Sequence, residues 1–171
     1  GVVTFDYLQI VQIAGHSCPT VAGAYLSTHK ALNFLYENQP PLRGGIKVSF
    51  KDDLEDGVTG VISNVISHIT GATDKSGFKG LNNQFARNKL LFFNAKQDAP
   101  ICFTRLDTNQ SVFVYYDPSK IKPNENQAIL MQKIMQKTAT KKEKLEFGLE
   151  WQNRVQRIFK HSDEVIKLKK L

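Results

Sequence analysis

The stretch AGHSCPTVAGAYLSTHKALNFLY, residues 14–36, decides how this chain is read. Gly15 interrupts the apolar run before it, and Pro19 suits a first helical position, where its missing N–H is not needed. Val21, Ala24, Leu32 and Leu35 carry an apolar face onward, so the spacing predicts a long helix from Pro19 to Tyr36. The chain has 2 cysteines and 4 histidines, and one of each, His16 and Cys18, stands at the mouth of that helix.

Working outward, VVTFDY (2–7) alternates and reads as a short strand, and LQIVQIA (8–14) fits a helical turn or two. NQPPLRGG (38–45) is a loop, and IKVSFKD (46–52) alternates Ile46, Val48 and Phe50 as a strand. Val58, Val61, Ile62, Val65, Ile66 and Ile69 then recur at helical spacing, with Asp56 placed to cap the helix. Residues 71–84 form a polar loop. KLLFFNA (89–95), ICFTRLD (101–107) and SVFVYYD (111–117) read as strands, the last two joined as a hairpin. Beyond PSKIKPNEN, helices are predicted over 124–137 and 140–160. Thr140 and Glu143 are spaced as a capping box, and Phe147, Trp151, Val155 and Ile158 form an apolar stripe. The fold class is therefore α+β: a core over residues 1–118 with a mainly antiparallel sheet packed by helices, and a C-terminal helical extension over 119–171.

Composition narrows the function classes. Two cysteines cannot build a four-cysteine zinc finger or a disulfide framework, and their scarcity points to a reducing, cytoplasmic compartment. The chain opens on Gly1 rather than Met, so its start carries no weight in that expectation. No apolar run reaches the roughly eighteen residues of a membrane span. The formal charge of +7 is concentrated in KTATKKEKLEF (137–147) and KHSDEVIKLKKL (160–171), which read as a solvated helical face rather than a phosphate track. Nucleic acid and membrane are accordingly not expected as partners. A basic interaction module built on the C-terminal helices is the remaining reading of that charge.

Chemistry centres on His16 and Cys18. Residues two apart in an extended segment point to one side, so imidazole and sulfur are expected to reach one ion. A cysteine capping the helix that Pro19 opens would meet the positive end of the helix dipole, which favours thiolate, the form that both ligates metals and attacks carbon. The bland alternative is a small buried thiol beside a histidine bonded to backbone. Asn64 and His68, four apart on the second helix, are weaker ligand candidates. The acidic run Asp52, Asp53, Glu55 and Asp56 either offers oxygen donors or, more simply, solvates a turn. Gly77, Lys79 and Gly80 lack the Gly-Lys-Ser/Thr order of a phosphate-binding loop. Cys102, inside an apolar strand, reads as inert core, and His29 and His161 show no partner. No Gly-x-Ser-x-Gly elbow or paired His-Glu metal motif is present.

The order of GHSCP (15–19), NVISHITGAT (64–73) and GFKGL (77–81) resembles the FmdE-like family of formylmethanofuran dehydrogenase proteins over residues 1 to about 116. That resemblance implies an α+β core, usually dimeric, with the motif cysteine in a cleft that binds a transition metal. Cys18 and His16 match the family's cysteine and nearer histidine, and Asn64 stands where members commonly have aspartate. Ala14, Thr20 and Ala72 depart from the family's second histidine, its glycine after Cys-Pro and its second cysteine. Lysine-rich helices stand where some members carry a zinc finger. The resulting expectation is a small soluble metal-binding protein with a redox or accessory role and a site at His16 and Cys18. Zinc is the first metal to consider, followed by nickel, copper, iron or haem iron. A homodimer and an unidentified small-molecule substrate complete the picture. The rival is a metal-free enzyme with Cys18 as catalytic nucleophile and His16 as its base.

Overall fold

A computed structural model describes residues 2–82 and 84–171. The chain runs α1 (Tyr7–Ala14), α2 (Pro19–Tyr36), β1 (Ile46–Phe50), α3 (Thr59–Thr70), β2 (Leu91–Phe92), β3 (Ile101–Arg105), β4 (Ser111–Tyr116), α4 (Gln127–Met135), α5 (Lys141–Lys160), α6 (Ser162–Val165) and β5 (Ile166–Lys170). A single 3-10 turn, Pro118–Lys120, follows β4. The strands form one mixed sheet in the order β2-β1-β3-β4-β5, antiparallel except for the parallel pair β1–β2. This is the α+β fold that the sequence predicts.

Alternation sets which side chains enter the core. Ile46, Val48 and Phe50 of β1 stand in register with Arg105, Phe103 and Ile101 of β3, and the last two with Val112 and Val114 of β4. These side chains meet α2, whose Val21, Ala22, Ala31 and Leu35 are buried, and α3, which buries Val65, Ile66 and Ile69. Phe103 is fully buried at the centre, where truncation to alanine costs about 3–5 kcal/mol.

Several sequence expectations change. Residues 2–6 form no strand, because Asp6 and Gln9 build a capping box that starts α1 at Tyr7, and Phe5 is packed between Arg43 and His68. Asp56 does not cap α3. Its Oδ2 accepts the Asp53 N–H at 3.2 Å, and Val58 occupies the cap position without a side-chain bond. The strand expected over 89–95 shrinks to two residues, since Lys89 and Asn94 adopt φ of 58° and 56° and turn the backbone out of the sheet at both ends.

The segment after residue 118 closes the sheet as well as adding helices. β5 pairs antiparallel with β4 from Tyr116↔Ile166 to Val112↔Lys170, while Val155 and Ile158 of α5 are buried in the same core. Thr140 and Glu143 form the predicted capping box.

Candidate functional site

His16 takes its position from the way α1 ends. Gly15 adopts φ 76°, the left-handed conformation that a residue with a Cβ resists, and turns the chain out of the helix. His16 is exposed, and its Nδ1 lies 3.1 Å from the Ala14 carbonyl oxygen. A carbonyl only accepts, so Nδ1 carries the hydrogen and Nε2 of the neutral ring keeps its lone pair.

Cys18 takes a different place. As N-cap of α2 its Sγ accepts the Val21 N–H at 3.4 Å, and the residue is 7% exposed. Its backbone is extended, at φ -151° and ψ 169°, and the capping contact engages the sulfur with the first turn of α2. Tyr7, Tyr116 and Trp151 form a collar around this turn. The Tyr7 hydroxyl and Ser17 Oγ are 2.9 Å apart, and the Tyr116 hydroxyl donates to the Pro19 carbonyl at 2.7 Å. Trp151 Nε1 and Gln152 Nε2 both donate to the Ser17 carbonyl, at 3.0 and 3.2 Å. Burial pushes the Tyr7 and Tyr116 hydroxyls above their ordinary pKa, so both remain protonated at neutral pH.

The histidines converge elsewhere. A cleft of about 430 Å³ lies between α1 and α3, lined by the buried Ile10 and Val65, the exposed Val61, and His16, Asn64 and His68. His68 sits edge-on to Phe5 at 5.1 Å between ring centroids. Burial, and secondarily the Arg43 charge, hold its pKa below the ordinary histidine value, so the ring is neutral and able to accept at neutral pH. Of the residues singled out in the sequence, His16, Asn64 and His68 thus share one cavity, and Cys18 does not line it.

Among the described residues no three His, Cys, Asp or Glu side chains come together as a metal-ligand group. The cleft therefore does not fit a closed structural metal site. Two imidazoles and one side-chain amide line it; an open metal site, by contrast with a closed one, is completed by water or a bound molecule.

The other candidates resolve into structural roles. Asp53 accepts the Glu55 N–H at 3.1 Å and the Asn94 side-chain amide, and these bonds, the backbone one foremost, hold its carboxyl below the usual range. The acidic run thereby braces its own turn. Cys102 is buried on the sheet face opposite the helices, in register with Ser49 and Phe113, and burial pushes its thiol pKa up. His161 has a partner after all, Glu164 at 2.7 Å. Gly77 and Gly80 lie in a loop that opens onto no helix. Sequence reasoning missed the collar: Tyr116 and Trp151 read as ordinary core positions, and nothing in their spacing announces the bonds their polar ends make.

Among the described residues no helix is long and apolar enough to cross a membrane. In comparisons with known proteins, no family model and no curated protein matches the chain.

Proposed function

We propose that this is a small transition-metal-binding protein whose ion occupies the cleft between α1 and α3. The observation that carries the reading is the hydrogen bond from His16 Nδ1 to the Ala14 carbonyl. Ligating histidines characteristically donate their second ring N–H to a backbone carbonyl or carboxylate, which fixes the tautomer and aims the free nitrogen at the metal. His68, neutral across the same cleft, is the second nitrogen donor, and Asn64 offers an amide oxygen. This donor set suits zinc, nickel, copper or iron and leaves room for a small molecule. An accessory or redox role follows from such an open site.

The reading agrees with the resemblance to the FmdE-like family, with one shift: Cys18 caps α2 instead of facing the ion. Ile13 and Val61 leave exposed apolar surface around the cleft, and Leu8 adds to it on α1. That surface supports the proposed homodimer, in which a second copy would supply remaining ligands.

Elemental analysis of protein loaded with zinc and then dialysed tests the proposal. His16→Ala and His68→Ala should each lose most of the bound zinc, whereas Cys18→Ala should retain it. If Cys18→Ala alone loses the metal, the cysteine is the ligand and the cleft is not the site. If no variant differs and Cys18 consumes an electrophilic substrate in a His16-dependent manner, the metal-free nucleophile replaces this reading.

A further inference from the structure

We infer that Arg43 and Arg87 form a binding site for a phosphate group at the C-terminal end of α3, independent of the metal proposal. The two side chains converge over Gly71, the residue that ends α3 at φ 76°. A Cβ placed on Gly71 would lie 3.3 Å from Arg43 Nε and 3.3 Å from Arg87 Cδ. The stem of Arg87 also lies against Gly44, where a Cβ would come within 3.3 Å of Arg87 Cγ. Two glycines, each with left-handed backbone, thus clear the space in which two half-buried arginines approach one another.

That approach lacks compensation within the chain. Among the described residues, neither guanidinium forms an ion pair or donates a hydrogen bond, and Arg43 Nε is buried without a partner. Burial and the Arg87 charge hold Arg43 below the ordinary arginine pKa, and no carboxylate opposes them. Arg43 is nonetheless held in place, with its guanidinium carbon 5.0 Å from the Phe5 ring centroid. Stacking on an aromatic face leaves the N–H edge of a guanidinium free and pre-aimed. Two half-buried like charges without a counterion are costly unless an anion joins them. The helix α3 C-terminus relieves part of that cost through its carbonyl dipoles, but it supplies no acceptor to the buried Arg43 Nε. A tetrahedral dianion answers the uncompensated charge, because paired guanidinium forks bind phosphate oxygens in bidentate fashion. The ligand is inorganic phosphate or the terminal phosphate of a small monoester.

The test is calorimetric titration of the full chain with inorganic phosphate and, separately, phenyl phosphate, with sodium chloride at matched ionic strength as reference. Saturable binding of one phosphate per chain is expected, together with a shift of the Arg43 Nε–Hε nuclear resonance. Tighter binding of phenyl phosphate would identify a monoester as the natural ligand, and equal binding would identify free phosphate. Arg43→Gln and Arg87→Gln should each weaken binding about tenfold or more, as loss of a charge-assisted contact requires. Arg43→Lys keeps a cation over Phe5 but loses the fork, and it should weaken binding while remaining as stable as the parent. Should Arg43→Gln fold poorly, Arg87→Gln and Arg43→Lys carry the same comparison. Phosphate binding of parental strength in the folded Arg87→Gln and Arg43→Lys proteins overturns the inference, as does a chloride response equal to that of phosphate.

Discussion

Trp151 and Ser17 are joined by a hydrogen bond across 134 positions of sequence, the indole Nε1–H donating to the Ser17 carbonyl at 3.0 Å. The bond fastens α5 to the residue immediately before Cys18, so the tail of the chain shields the thiol. A neutral hydrogen bond contributes about 1 kcal/mol, or roughly a fivefold change in a local opening equilibrium. Trp151→Phe, which keeps an aromatic ring and loses the donor, should therefore raise the rate of Cys18 alkylation by about fivefold. Peptide mass mapping after timed iodoacetamide exposure measures it, and an unchanged rate would mean that α5 does not gate access.

Gly23 of α2 lies directly under the Tyr116 ring: a Cβ there would fall 2.1 Å from Tyr116 Cε1. Helix propensity alone favours alanine over glycine by about 1 kcal/mol. The clash opposes it, and Tyr116 cannot swing away without giving up its bond to the Pro19 carbonyl. Gly23→Ala should lose about 2 kcal/mol net by urea denaturation, because overpacking outweighs propensity. In a Tyr116→Val background the same substitution should be neutral or stabilising.

The capping role of Cys18 separates its structural from its chemical contribution. Serine is among the best N-cap residues, so Cys18→Ser should fold with parental stability, while Cys18→Ala should lose about 1 kcal/mol. Equal stability of the two variants by urea denaturation would show that the Sγ contact with the Val21 N–H contributes nothing.

Glu143 gives the molecule a local acid response. Its carboxylate accepts the Lys133 ammonium and the Thr140 N–H, contacts that hold its pKa down to about 2 from an ordinary 4.5. A carboxyl lowered in the folded state stabilises it above the unfolded value and loses that contribution as pH falls toward the folded one. The α4–α5 hairpin should therefore lose helicity between about pH 4.5 and 2. Glu143→Gln should flatten this transition in far-ultraviolet circular dichroism, since glutamine retains the cap but does not titrate. A transition of equal size in the variant would assign the effect to other carboxylates.

Legibility in the sequence follows how local the determining signal is. α2, α3, α5 and strands β1, β3 and β4 were readable because each carries its own apolar period over enough residues. The Thr140–Glu143 box was readable for the same reason, and the equivalent Asp6–Gln9 signal was present but overridden by the alternation of VVTFDY. β5 was not readable: IKLKK has only Ile166 and Leu168 to mark a period of two, and lysines flanking them suit an exposed helix as well as an edge strand. At the candidate site, His16, Asn64 and His68 were each visible as chemistry-bearing residues. Their meeting in one cleft was not, because it depends on how α1 crosses α3. That Cys18 lies outside the cleft lined by His16 was hidden too, since its capping contact with the Val21 N–H is not announced by the spacing.

The pairing of β4 with β5 also sets an order of events during synthesis. Tyr116 is made about fifty residues before its partner Ile166, so β4 leaves the ribosome with one edge unclaimed. In that interval the exposed N–H and C=O groups of Ser111, Phe113 and Tyr115, which face β5 in the folded sheet, are a template for any extended chain nearby. The α4–α5 hairpin shortens the wait, because its helices form locally and carry the end of the chain back towards the sheet. Growth conditions that slow translation of residues 120–165 should thus raise the insoluble fraction of the newly made protein without altering the stability of what has already folded.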